Sequence, residues 1–157
     1  MSVVIRDGSG KDDAVCGRIV GAAAGSSVYA ERLPHARALF EDVSALALEG
    51  KLRLIAEIEG RPVGFADYTA AKGHIKYLFV LPGAQGSGAG SALLDAVQAR
   101  ADGPISVHVL AVNDVGILWY LRRGFKVVDG WAEPLEGMTA AWLRLTRARD
   151  RSGQNRL

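Results

Sequence analysis

Residues 77–91 read Tyr-Leu-Phe-Val-Leu-Pro-Gly-Ala-Gln-Gly-Ser-Gly-Ala-Gly-Ser, and no other stretch so narrows what this chain can fold into. Leu78, Phe79, Val80 and Leu81 form the short apolar run of a buried strand. Pro82 and Gly83 stop it, and from Ser91 onward Leu93, Leu94 and Val97 recur at helical spacing. Strand, glycine-rich turn and helix therefore follow one another within a few residues. Gly86, Gly88 and Gly90 leave the turn almost without side chains, so successive backbone N–H groups can converge on one anion at the positive end of the helix. Such a stretch predicts a phosphate cradle.

Spacing separates the readings of that cradle. A phosphate-binding loop of the nucleotide-hydrolase kind needs Lys-Ser or Lys-Thr after its last glycine, whereas Ser91 and Ala92 follow Gly90. A dinucleotide fingerprint needs Gly-x-Gly-x-x-Gly after the first strand of a βαβ unit, and the even spacing of the three glycines fails that pattern at its third position. A flexible strand-to-helix turn stays open as the plainest alternative. The stretch resembles Gln/Arg-x-x-Gly-x-Gly/Ala, the acetyl-CoA pyrophosphate loop of the GNAT superfamily of N-acetyltransferases. Gln85, Gly88 and Gly90 stand at its three named positions.

At 157 residues the chain suits one domain with a sizeable core. Hydrophobic residues at 49% and charged residues at 23% give the balance of a globular protein rather than a disordered one. Neither a membrane-spanning apolar run nor the basic start and apolar core of a signal peptide is present, so a cytoplasmic protein that does not engage membrane is expected. The single cysteine, Cys16, reads as a small core residue, and no Cys or His cluster has metal-ligand spacing; no metal is expected. The last fourteen residues hold five of the 19 basic side chains and one of the 17 acidic ones, leaving 14 against 16 elsewhere, a net −2. Residues 147–157 are expected to be a flexible basic tail on a domain spanning 1–146. Without interleaved aromatic residues the tail does not point to nucleic acid.

Taken in order, residues 3–6 suggest a first strand, and Asp12 or Asp13 caps a helix with Val15, Ile19, Val20 and Ala23 inward. A second helix is expected over residues 34–49. Residues 52–59 and 63–69 read as a hairpin, and residues 74–81 as the strand before the glycine loop. A strand over 105–111 follows the cradle helix. Asn113 or Asp114 then caps a helix bearing Ile117, Leu118 and Leu121, and Gly124 stops it. Residues 125–128 and 139–145 are expected as strands around a loop that holds Trp131, Glu133, Pro134 and Glu136.

The resulting order, β-α-α-β-β-β-α-β-α-β-β, is that of the GNAT family. Asn113 followed by Trp119-Tyr120-Leu121-Arg122-Arg123-Gly124-Phe125 resembles the family's Asn…Tyr-x-x-x-Gly-Phe signature. The resemblance implies an α/β single-domain fold, with a mixed central sheet of about seven strands flanked by about four helices. It also implies acetyl-CoA as cosubstrate. Leu78, Phe79 and Val80 would lie on a strand splayed from its neighbour and offer backbone groups to pantetheine. Gln85, Gly86, Ser87, Gly88, Ala89, Gly90 and Ser91 would take the pyrophosphate. Many relatives carry an arginine or lysine within this loop, where this chain has Ser87 and Ala89.

Asn113 and Tyr120 are seven residues apart, close to two helical turns and about 10 Å along one face, so both can address one extended ligand. By resemblance Asn113 contacts the cosubstrate and Tyr120 protonates the departing CoA thiolate, a transfer that a phenol of pKa about 10 can make to a thiolate of about 8.5. His74 stands about where some relatives keep a glutamate that deprotonates the incoming ammonium, although a solvated histidine at a strand end explains it equally well. Tyr29, Glu31 and Trp131 are candidate acceptor contacts, and with Glu133 and Glu136 they would suit a cationic amine. The expected activity is transfer of acetyl to a primary amine of a small molecule, peptide or protein by direct attack in a ternary complex. A non-catalytic acyl-CoA-binding module and a nucleotide-phosphate-binding protein are the alternatives. Many members of the family are dimers, which makes a homodimer a further expectation.

Overall fold

The computed structural model describes residues 2–25, 50–135 and 137–149. In chain order the elements are β1 (Val3–Asp7), α1 (Asp13–Gly25), β2 (Leu52–Ile58), β3 (Arg61–Thr69), β4 (His74–Val80), α2 (Ala89–Arg100), β5 (Ile105–Leu110), α3 (Asp114–Leu121), β6 (Lys126–Leu135) and β7 (Met138–Arg147). The strands form one sheet in the order β1-β2-β3-β4-β5-β7-β6. Neighbours are antiparallel except β4 and β5, which run parallel. This is the mixed α/β architecture expected. The helix expected over residues 34–49, with Tyr29, Glu31 and Glu136, lies outside the described residues.

Local sequence accounts for most of the element ends. Ser9 accepts from the Lys11 N–H at 3.2 Å while the Asp12 carboxylate accepts from the Ser9 N–H at 2.9 Å, a reciprocal cap on a short 3-10 turn that leads into α1. Asp12 thus serves the turn, and the α-helix itself begins at Asp13. Glu59 and Gly60 both take left-handed φ, +52° and +75°, which gives the tight connection between β2 and β3 the twist that a two-residue hairpin requires.

Both faces of the sheet are covered. Leu54, Ala56, Tyr68, Ile75, Val107 and Leu145 pack with Leu93, Leu94 and Val97 of α2, which are fully buried. Each such leucine contributes about 1.5–3 kcal/mol by leaving water. On the opposite face Ile55 and Phe65 meet Cys16, Ile19 and Val20 of α1. Burial pushes the Cys16 thiol up to about 12, consistent with packing and inconsistent with a nucleophile. Between hairpin and α1, Arg53 donates from Nε and Nη2 to the Asp67 carboxylate at 2.7 and 2.9 Å, and from Nη1 to Asp13 at 2.6 Å and the Ser9 carbonyl at 2.8 Å. Neither the Arg53 nor the Asp67 side chain reaches solvent.

The C-terminal hairpin departs from expectation. Residues around Trp131 are strand, not loop: β6 runs on through Asp129 and Gly130, which pair with Arg144 and Leu143 once a register shift has set Val128 aside as the extra residue. A side chain at Gly130 would lie 2.8 Å from the Trp142 carbonyl, so glycine here serves close strand approach. Pro134 is tolerated because β6 is the sheet's edge. On α3, Ile117 packs inward while Leu118 and Leu121 are 50% and 40% exposed. Strand β7 extends through Arg147, whose Nε donates to Gln98 at 3.1 Å and Nη1 to the Arg123 carbonyl at 3.1 Å. Residues 150–157 lie outside the described residues. No described helix is long and apolar enough to cross a membrane.

Candidate active site

The site begins at an incomplete strand ladder. Between β4 and β5 the register partners are His74↔Ser106 and Ile75↔Val107, and the ladder ends there although both strands continue. On its other side β4 stays paired to β3 as far as Gly64↔Val80. At the point of separation the β3–β4 register shifts, Asp67 facing Tyr77 and Tyr68 facing Ile75, so Lys76 is an extra residue. A bulge of this kind bends its strand and gives β4 a local reason to leave β5. The stretch from Lys76 to Val80, with Leu78, Phe79 and Val80, thus lies beyond the last β4–β5 register pair. Leu78 and Val80 face the core beneath α2, and Phe79 faces α1 with Tyr77.

The glycine loop starts where β4 stops. A 3-10 turn at Pro82–Ala84 leads into Gln85, which is exposed; Gly86 and Gly88 then take φ of +83° and +91°. A Cβ on either glycine would touch nothing, so the chain keeps glycine there for backbone conformation alone. Gly88 caps α2 without a side-chain bond; Ser87 Oγ accepts from the Ala89 N–H at 3.3 Å, and the first helical bond is Ala92 N–H to the Gly88 carbonyl at 2.9 Å. The N–H groups of Gly90 and Ser91 thus precede the helix's own acceptors and are available to an anion. Gly90 has a different task. A Cβ there would come within 2.9 Å of Trp119 Cζ2, so its absence lets α3 lie against the first turn of α2, beside Val80.

Helix α3 brings the second motif to this place. Asn113 caps it, its Oδ1 accepting from the Gly116 N–H at 3.0 Å. Half-buried Tyr120 sits edge-on to Trp119 at 5.0 Å and to Phe125 at 5.1 Å and packs on the core that Leu78 and Val80 also border. Trp119 and Phe125 are packing residues, as their apolar flanks predict.

His74 occupies the closed end of the seam, its Nδ1 sharing a 2.9 Å hydrogen bond with Ser106 Oγ. Its ring lies 4.3 Å from that of His108, which lies 4.7 Å from Trp131, which stacks on Trp142 at 6.3 Å. Sequence spacing does not show that His74 and His108 meet, because the register of two parallel strands is not written in either strand. Burial, with His108, Lys76, Arg144 and Lys72 adding positive charge nearby, pushes His74 down to about 4. Burial and Arg144 also lower His108, against the opposing pull of Asp129 and Glu133. Both rings are neutral at physiological pH.

The profile of the acetyltransferase (GNAT) domain matches residues 49–127, and the chain belongs to that family of acetyltransferases. Among solved structures it is similar to a GCN5-related N-acetyltransferase of Rhodopseudomonas palustris, 26% identical over 94% of this chain and 96% of that one, with a TM-score of 0.76. It shares its fold with the PaiA N-acetyltransferase of Thermoplasma acidophilum in complex with coenzyme A, 18% identical over 94% and 99% of the two chains with a TM-score of 0.72. The same holds for the ribosomal-protein-S18-alanine N-acetyltransferase of Escherichia coli, 20% identical over 99% of both chains, TM-score 0.70. No curated protein matches the chain.

Proposed function

We propose that this protein moves an acetyl group from acetyl-CoA to a primary amine of a small molecule or peptide, by direct attack in a ternary complex. The observation that carries this reading is the seam between β4 and β5, from which β4 leads through the glycine loop to the start of α2, capped by Gly88 without a side-chain bond, with Tyr120 of α3 packed on the same core. The residues present suit the cosubstrate. Leu78, Phe79 and Val80, beyond the last register pair of β4 and β5, are proposed to offer backbone groups to the pantetheine amides, and one N–H there can face the thioester oxygen as it gains charge. The turn from Gln85 to Ser91 offers N–H groups to the diphosphate, and Asn113 is proposed to contact the cosubstrate.

In the reaction the amine nitrogen bonds to the acetyl carbon as the carbon–sulfur bond breaks. Tyr120 gives its proton to the departing thiolate, and the amine sheds one. His74 is the candidate acceptor of that second proton. A ring with a pKa of about 4 holds a proton weakly, so it passes the charge on to water and does not store it. Trp131, with Tyr29 and Glu31, is proposed to contact the acceptor. The domain is taken as residues 1–146, with Arg147 closing β7 at its end and a basic tail beyond, in a cytoplasmic protein.

The test is thiol release from acetyl-CoA across a broad amine panel. Free CoA appearing with at least one amine, together with the acetylated product by mass, supports the proposal. Tight acetyl-CoA binding without turnover on any amine would replace it with the acyl-CoA-binding module.

A further inference from the structure

Arg123 differs from five of the described arginines. Arg6, Arg53, Arg100, Arg144 and Arg147 each have a carboxylate within ion-pair distance. Arg123 is half-buried and has no such partner among the described residues; burial lowers its pKa, with Asp95 acting only at long range. Its guanidinium lies 3.8 Å over the Trp119 ring, Nε donates to Ser91 Oγ at 2.9 Å and Nη1 donates to the Trp119 carbonyl at 3.0 Å. The stack and two bonds fix the plane of the cation against the first turn of α2, and Nη2 has no protein acceptor among the described residues.

A fixed, partly desolvated arginine without a counter-ion is costly unless an anion joins it. The nearest structural feature suited to an anion is the loop of Gly86 and Gly88 with the first turn of α2, Ala89 to Ser91, and that stretch carries no basic side chain of its own. We propose that Arg123 supplies the missing cation, with Nη2 and the open side of its fork directed at the diphosphate of CoA. This deepens the acetyl-CoA reading and rests on it. Arg123 is then a binding residue that sets donor affinity: it lies outside the glycine loop in sequence and is carried to it by the Gly90–Trp119 contact.

The experiment compares wild type with Arg123→Gln and Arg123→Lys on three donors: acetyl-CoA, acetyl-dephospho-CoA and S-acetyl-pantetheine, which lacks the diphosphate. A charge-assisted bond to phosphate predicts that Arg123→Gln weakens binding of the first two donors by about 10- to 10²-fold. Its kcat/KM on S-acetyl-pantetheine should equal wild type, and Arg123→Lys should recover part of the loss. Equal losses on all three donors would make Arg123 a strut between α2 and α3 and overturn the proposal. A loss confined to acetyl-CoA would move the contact to the 3′-phosphate and overturn it as well, as would undiminished affinity. Thermal melting identifies a variant that has failed to fold, and Arg123→Lys then carries the comparison. Wild type that binds none of the donors would refute the acetyl-CoA reading itself, a result distinct from these.

Discussion

Two pairs of neighbouring strands in the same sheet invite comparison. Between β2 and β3 every residue from Leu52 to Ile58 has a register partner, Leu54, Ile55, Ala56, Phe65 and Ala66 are buried, and Arg53 and Asp67 meet where no water reaches. Between β4 and β5 pairing stops at Ile75 and Val107, and a bulge turns β4 aside. Unpaired backbone within a sheet is costly unless water or a ligand satisfies it. The closed pair can therefore hold the fold together while the open pair keeps groups available for binding, and changes on the two sides should separate stability from acetyl transfer.

The largest effect is expected on the closed side. Asp67→Ala leaves Arg53 buried beside Asp13 alone and should cost about 3–5 kcal/mol in denaturant unfolding, while the folded fraction binds acetyl-CoA as wild type does. A loss below about 1 kcal/mol would mean that Asp13 and the Ser9 carbonyl suffice for Arg53.

On the open side, the two glycines at the start of α2 should behave differently. Gly88→Val puts a branched side chain at φ +91°, in space the chain leaves empty, and should lower acetyl-CoA affinity by about 10²-fold or more in calorimetry. Its stability should fall by only about 1–2 kcal/mol. Gly90→Ala instead drives Cβ into Trp119 and should show its main effect, about 1–3 kcal/mol, in thermal or denaturant unfolding. Unchanged affinity in Gly88→Val would remove the cradle from the mechanism.

Tyr120→Phe keeps the packing against Trp119 and Phe125 but removes the proton needed as sulfur departs. It should lower kcat by about 10²-fold with KM for acetyl-CoA little changed, measured by single-turnover kinetics so that product release does not mask chemistry. An unaltered single-turnover rate would leave Tyr120 as packing.

The smallest effect concerns His74. Its folded pKa of about 4 lies below the ordinary value of 6.5, so the unfolded chain binds more protons between those two values. Its contribution to stability should decline as pH falls from about 6.5 to about 4, and His74→Gln should flatten that part of the melting profile. In kinetics, the rise of kcat/KM with pH should follow the pKa of the amine supplied. A limb in the ordinary imidazole range that disappears in His74→Gln would instead make His74 the base that sets the rate.

Much of this was legible in the chain itself. Apolar spacing marked β4 and the buried face of α2, paired glycines and an amide-bearing cap marked the loop and α3, and element order marked the architecture. These are local properties, set by the period of side chains along one element and by which residues tolerate left-handed backbone. Where the structure departs from that reading, tertiary pairing overrules local signals: the residues around Trp131 read as loop, yet β7 pairs with Asp129 to Leu135 and keeps Trp131 on the sheet.

Other features depended on distances that sequence does not contain. Arg53 and Asp67 are ordinary charged residues in alternating strands until the hairpin register and α1 enclose them. His74 and His108 become neighbours through a parallel register, and Gly90 becomes a packing residue only because Trp119 arrives from α3. Arg123 sits inside a motif read for its tyrosine and glycine, and its place beside Ser91 follows from that same helix contact. Sequence period determines what each element can bury, whereas the partners of a charge or an unpaired backbone edge depend on which elements meet, and that is decided by packing of the whole chain.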